Sequence, residues 1–170
     1  DYYYVNKSSL PKVYGGFNTS LSWKGLDLSA IFAYSIGGYI YNRDITMILH
    51  NGSLEGRAWS TEILRRWTPD NRYTDVPALS TTSNNWNSAS TRFLQNNSYM
   101  RLKNLTLSYN LPKPWVSKLA LSSVQVYVQG DNLFTIHKNQ GLDPEQGITG
   151  ITYYRYPAMR TISGGINIAF

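Results

Sequence analysis

His50 and His137 are the only imidazoles in this 170-residue chain, and neither stands in a ligand-spaced motif or beside an obvious nucleophile. Asp143 and Glu145 flank Pro144. They could hold a cation through oxygen, or simply build a turn around the proline. Two residues apart in a loop, they cannot oppose one another across a glycosidic bond. Cysteine is absent, which removes thiolate chemistry, disulfides and Cys-based metal sites. The glycine pairs at 15–16, 37–38 and 164–165 all touch strand patterns, so none reads as a phosphate cradle. No catalytic residue, metal or cofactor is expected, and the remaining chemistry is recognition by aromatic and cationic groups.

Three places concentrate that chemistry. Trp59, Ile63 and Trp67 recur at spacing four in a segment expected as a short helix from Glu55 to Trp67, ended by Pro69. Its face could pack on its own loop, meet a partner protein or touch a ligand. Trp86 stands alone in an Asn/Ser-rich stretch, suited to stacking on a sugar or to anchoring the loop. Tyr153, Tyr154 and Arg155, with Tyr156, form an aromatic-basic cluster of a kind enriched at interfaces.

The elements that would carry these groups are strands. Alternation of apolar and polar residues marks them at about 12–23, 26–38, 98–110, 122–132 and 160–170. Val13, Phe17, Leu21 and Trp23 share one face of the first, with Asn18, Ser20 and Ser22 opposite. Lys24-Gly25 gives a hairpin turn into Leu26, Leu28, Ala30 and Phe32. In the third strand Met100 and Leu102 have the opposite parity to Leu105 and Leu107. Either a bulge near Lys103-Asn104 or the emergence of Arg101 and Lys103 above an apolar layer accounts for that break. The last strand alternates Ile162, Gly164, Ile166, Ile168 and ends on Phe170.

Fourteen Tyr and five Trp with only 15% charged residues describe a β-rich chain with lightly charged loops. The net charge of +6 is scattered, with only Arg65-Arg66 adjacent, and does not form the stripe that tracks a nucleic-acid backbone. No apolar run approaches the roughly 20 residues of a membrane helix. Strand length, small uncharged groups in the polar rows, and alternating short and long connections (long at 39–97 and 133–159) point instead to an all-β transmembrane antiparallel β-barrel. In that reading Trp23, Tyr109, Trp115 and Phe170 sit at a membrane girdle on the short-turn side. Phe170 also serves barrel assembly, and the C-terminus is periplasmic. Five strands cannot close a barrel, so the chain is expected to be the end of a larger one. Any targeting signal is expected upstream of the first residues.

Several separated segments resemble one family. Asn97-Ser98-Tyr99-Met100-Arg101-Leu102 through Ser108-Tyr109-Asn110-Leu111-Pro112 and Val126-Tyr127-Val128-Gln129-Gly130-Asp131-Asn132-Leu133-Phe134-Thr135 are similar to the closing region of SusC/RagA TonB-dependent outer-membrane receptors. So are Pro11 to Phe17, Trp23 to Leu28, Gly37-Gly38, Arg66-Trp67-Thr68-Pro69, Gly141 to Glu145 and Tyr156-Pro157. The resemblance implies that residues 1–170 are the C-terminal part of a barrel of about 22 strands whose plug domain is missing here. It further implies import of oligosaccharides, or peptides, with energy from TonB through the missing N-terminal part. A SusD-like surface lipoprotein would form the lid, in a dimer of receptor-lipoprotein pairs. The barrel-assembly machinery and outer-membrane lipid complete the implied partners, and nucleic acid is not among them. A passive porin or structural barrel, or a soluble carbohydrate-binding β-sandwich, are the alternatives. The expected location is the bacterial outer membrane, as a multi-pass barrel.

Overall fold

Regular alternation builds the largest element of the computed structural model, which describes residues 3–50, 56–80, 88–139 and 141–170. Strands β1 (Val13–Trp23) and β2 (Leu26–Ile36) pair antiparallel through Lys24 and Gly25, whose φ values of 49° and 85° match the twist of a two-residue hairpin. After them come β3 (Tyr39–Asn42), α1 (Arg43–Ile48), β4 (Leu94–Asn96), β5 (Tyr99–Asn110), α2 (Lys113–Val116), β6 (Ser123–His137), β7 (Ile151–Thr152) and β8 (Thr161–Ala169). Single 3-10 turns lie at Thr61–Arg65, Thr91–Phe93 and Ser117–Leu119.

The main sheet runs β1-β2-β5-β6-β8, with every neighbour antiparallel. Directly opposed residues share a face. The register Trp23↔Leu26↔Tyr109↔Val126↔Ile166 and, two residues away, Leu21↔Leu28↔Leu107↔Val128↔Gly164 therefore collects the apolar rows of all five strands on one side. Polar residues such as Ser20, Ser29, Thr106, Gln129 and Ser163 line the other. The parity break in β5 is a bulge. Pairing shifts between Leu102 and Asn104, so Lys103 is skipped and Leu102 faces Phe32 and Phe134 on the apolar side with Leu105 and Leu107. The same irregularity carries β6 past Asp131: Asn132 takes φ 52° and the strand continues to His137, beyond the expected end at 132.

The expected barrel is corrected by this topology. β1 and β8 are the two edges of an open sheet, and β3, β4 and β7 form a separate three-stranded sheet ordered β4-β3-β7. Among the described residues no sheet closes, so the chain is a mostly β, two-sheet structure with short helices rather than a transmembrane barrel segment. Alternation specifies a sheet with unlike faces. Closure also requires strand number, tilt and stagger to agree, which alternation does not encode. The reading of the strands as transmembrane, drawn from their length and the alternating short and long connections, is corrected with it, as are the outer-membrane location and the periplasmic placement of the C-terminus. No helix of the described residues is long and apolar enough to cross a membrane.

The expected helix from Glu55 to Trp67 is also reduced. Residue 55 lies outside the described residues, and only Thr61–Arg65 turns helically. Ser60 caps it by accepting from the Glu62 N–H, and Arg66 leaves at ψ 156°. The helix that forms instead is α1, capped by the Asn42 side chain, which accepts from Ile45 N–H at 3.1 Å.

The two sheets differ in where burial falls. Main-sheet residues Leu21, Val128, Ile162 and Ile166 are exposed. Ile40, Leu49, Ile63, Val76 and Phe93 are buried beside the small sheet, with Tyr41 edge-on to Phe93 at 6.2 Å. The best-packed apolar core thus lies in the layer built from the long connections.

Candidate functional site

The connection layer is fastened to the main sheet by a buried cation. Arg101 belongs to the polar row of β5 and is 2% exposed. A buried guanidinium must meet acceptors, because an unpaired buried charge is costly. Its Nε donates to Thr135 Oγ1 at 2.9 Å, Nη1 to Glu145 at 2.8 Å and Nη2 to Asp143 at 2.5 Å. Lys103, displaced by the bulge, donates to both Glu145 oxygens at 2.6 Å. Asp143 also accepts from the backbone N–H groups of Glu145 at 2.8 Å and Ala158 at 2.7 Å. Burial pushes the Asp143 carboxyl pKa up, but the Ala158 and Glu145 N–H groups and Arg101 outweigh burial, leaving it below the usual carboxylate range. Tyr99, next to this node, has a raised pKa, first from burial and then from the charge of Glu145.

The Asp143 and Glu145 carboxylates are both neutralised by side-chain cations, and Asp143 organises the turn through two backbone N–H groups. Among the described residues no group of three His, Asp or Glu side chains is placed to hold a metal ion.

A second cluster stands where β7 meets α1. Arg43 lies over the Tyr153 ring at 5.0 Å, and Tyr153 and Tyr154 are tilted together with centroids 4.4 Å apart. The Tyr154 N–H donates to Asp44 at 2.9 Å, and Arg57 Nη1 reaches the Tyr154 hydroxyl at 3.4 Å. Both tyrosines are exposed, so the cluster offers aromatic faces and cations to a binding partner. Arg155 lies apart from it, donating to Gln146 at 3.3 Å.

The other expected contact residues are dispersed. Trp59 stands edge-on to His50 at 5.3 Å. His50 is fully buried, and neither ring nitrogen has a hydrogen-bond partner among the described residues. Trp67 is held through its backbone N–H to Val76 O at 2.8 Å, with its ring partly exposed. Trp86 lies outside the described residues. Trp23, Tyr109, Trp115 and Phe170 gather at the hairpin end of the main sheet and are all exposed, Phe170 at 92%. Sequence reasoning missed Arg101 as the partner of Asp143 and Glu145, and missed Arg43, Asp44 and Arg57. A cation in the polar row of a central strand, followed by an acidic pair in the next long connection, was the available signal for the first.

No family model matches the chain. Individual relatives do. TonB-dependent receptor P3 of Formosa agariphila is 36% identical over 167 residues, covering 91% of this chain and 16% of that protein. TonB-dependent receptor P26 of the same organism is 31% identical over 173 residues, covering 96% and 17%. Homology ties this chain to the TonB-dependent transport receptors. TonB-dependent receptor SusC of Bacteroides thetaiotaomicron extends the group, at 26% identity over 98% of this chain. Among solved structures, the RagAB peptide importer matches in both its closed-closed and open-open states, with TM-score 0.85 and 36% identity over 98% of this chain and 18% of that one. The chain thus spans less than a fifth of the length of these relatives. Homology ties the chain to SusC/RagA TonB-dependent receptors in general terms, but the expected identification as their C-terminal barrel segment is corrected by the two open sheets. These relatives are described as receptors and as a peptide importer.

Proposed function

We propose that this chain is part of a receptor that imports an oligosaccharide or a peptide with energy passed from TonB, working with a SusD-like lipoprotein as lid. The agreement in sequence and fold with the RagAB peptide importer over 98% of the chain carries this reading. Within it, the connection layer is the part that meets nutrient or lid. Tyr153 and Tyr154, with Arg43 and Arg57, supply the contact surface, and Trp59, Trp67 and Arg155 are further contacts at separate places in the layer. The Arg101 node holds that layer in one position against the main sheet, which limits the ordering cost of binding.

Uptake by cells expressing the full-length receptor and its lipoprotein, with and without TonB, tests the proposal. Uptake that requires TonB is expected. Equal uptake without TonB would favour a passive pore and overturn it.

A further inference from the structure

Where β1 begins and β2 ends, register seats Tyr14 and Tyr99 on either side of Ser35, on the polar face of the main sheet. Directly opposed Cβ atoms stand roughly 5 Å apart, so the two tyrosines leave the sheet roughly 10 Å apart with a small residue between them. Ala33, on the same face, and Gly15 are also small. A half-open cavity of about 290 Å³ lies here, bounded further by Ser9, Pro11, Asn97 and the segment 144–148. Its volume is at the small end of ligand pockets, which suits one ring better than a chain.

The boundaries are fixed before any ligand arrives. Ser9 Oγ donates to Ile148 O at 2.7 Å, and the Tyr39 N–H donates to Ser8 O at 2.8 Å. Gln146 donates to Asp143 O and accepts from Arg155. The N–H groups of Leu10 and Lys12, on either side of Pro11, and of Asn97 are already bonded. The backbone left to meet a ligand is that of 144–148, in the connection layer.

The lining is neutral. Among the described residues it holds no Asp, Glu, Lys, Arg or His, unlike the cavity beside α1, which Glu62, Asp75 and Arg92 line. A charged ligand would find no counter-charge. Hydroxyl groups are available: Tyr14 is exposed and Ser35 half-buried, and neither side chain is hydrogen-bonded among the described residues. Burial raises the Tyr99 pKa, so its hydroxyl keeps its proton. Asn97 Oδ1 accepts from Asn139 at 2.6 Å, which leaves the Asn97 amide hydrogens to donate. Groups of this kind both give and take hydrogen bonds, as a sugar's hydroxyls require, and tyrosine faces suit its C–H faces.

We propose that this cavity holds one neutral sugar unit, seated between Tyr14 and Tyr99 over Ser35. The proposal rests on the importer reading, of which it takes the glycan alternative, and on the cavity for its chemistry. Because the walls are already fixed, little ordering opposes binding.

The test is calorimetric titration of the purified full-length receptor with maltotriose, xylotriose, mannotriose and galactotriose. Trigalacturonate and acetyl-trialanine amide serve as the charged and peptide comparisons. Saturable binding of at least one neutral trisaccharide is expected, with added hydrogen-exchange protection at Gly147 and Ile148. Tyr14→Ala should weaken it about tenfold, as loss of a ring contact and a hydrogen bond implies. Tyr14→Phe, which keeps the ring, should retain most of the affinity and guards against misfolding of the alanine variant. Ser35→Leu, which fills the space between the tyrosines, should abolish binding. No saturable binding of any neutral trisaccharide, an unchanged affinity in Tyr14→Ala or Ser35→Leu, or equal losses in Tyr14→Ala and Tyr14→Phe would overturn the proposal. Tighter binding of trigalacturonate or of the peptide than of every neutral sugar would do the same. TonB-dependent uptake that persists in a receptor with no sugar binding in this cavity sinks the cavity alone, whereas uptake independent of TonB sinks the importer reading.

Discussion

The main sheet and the connection layer solve opposite problems. In the sheet, each strand repeats a two-residue pattern, and four registers align that pattern into one apolar and one polar face. Its order is dense in hydrogen bonds, yet Leu21, Val128, Ile162 and Ile166 remain exposed. In the connection layer, regular structure is scarce, but Ile40, Val76 and Phe93 are each 1% exposed. The sheet is specified by local pattern, and the layer by a few contacts between distant segments. Position in the layer then depends on a handful of side chains, which makes it the more sensitive of the two to single substitutions.

The largest effect is expected from Phe93→Ala. Truncating a buried phenylalanine costs about 3–5 kcal/mol, and here the loss should appear as faster hydrogen exchange across β3, β4 and α1 with β1 and β2 unchanged. A loss shared equally by the main sheet would show that the two regions fold as one unit.

Next comes Arg101→Met. Removing one partner of a buried ion pair costs about 3–5 kcal/mol, reduced here because Glu145 is partly exposed and keeps Lys103. Exchange at the Ala158 and Glu145 amides, which Asp143 accepts, should rise by about two orders of magnitude. Undiminished protection would mean that the layer is held by something other than this node.

The pH dependence of the same amides is smaller in reach and tests the same contact without mutation. Asp143 has a folded pKa below its unfolded value, so its contribution is fully present above the unfolded pKa of about 3.9 and is lost as pH falls through the lower folded value. Protection at Ala158 should therefore persist below pH 4 and disappear only at more acid pH. In Asp143→Asn that acid-dependent step should be absent.

The smallest effect belongs to the sheet. Ile166→Thr, at an exposed position with a β-branched replacement, should change stability by no more than about 0.5 kcal/mol. Chemical denaturation reads this, and a loss several times larger would show that the apolar face is covered in the full receptor.

These differences also explain what the sequence made visible. The alternation in residues 13–23 and 26–36 is legible because a strand's face is set by residues two apart, whatever lies elsewhere in the chain. The parity break at Lys103 was legible too, but it left two explanations open, and the pairing that puts Met100, Leu102 and Leu105 on one face shows the bulge. That five strands cannot close was legible, whereas the separate β4-β3-β7 sheet was not, because strands this short carry little alternation. Asp131-Asn132 looked like the end of a strand since these residues favour turns, yet Asn132 spends its positive φ inside the β6 irregularity. The spacing of Trp59, Ile63 and Trp67 suggested one helical face. Only Ile63 is buried, because the Ser60 cap and the extended Arg66 confine the turn to five residues. β7, with two residues paired parallel to β3, is too short to leave any pattern. As for the candidate site, Tyr153 and Tyr154 were readable as an aromatic pair, but their partners Arg43, Asp44 and Arg57 are about a hundred residues away along the chain.

The claim that the connection layer, rather than the main sheet, meets the nutrient is tested most directly by hydrogen exchange on the full-length receptor, with and without the nutrient that the uptake assay identifies. The expected result is added protection confined to residues 39–50, 56–80 and 141–158, with β1 and β8 unchanged. Added protection in β1 or β8 with none in those segments would contradict it.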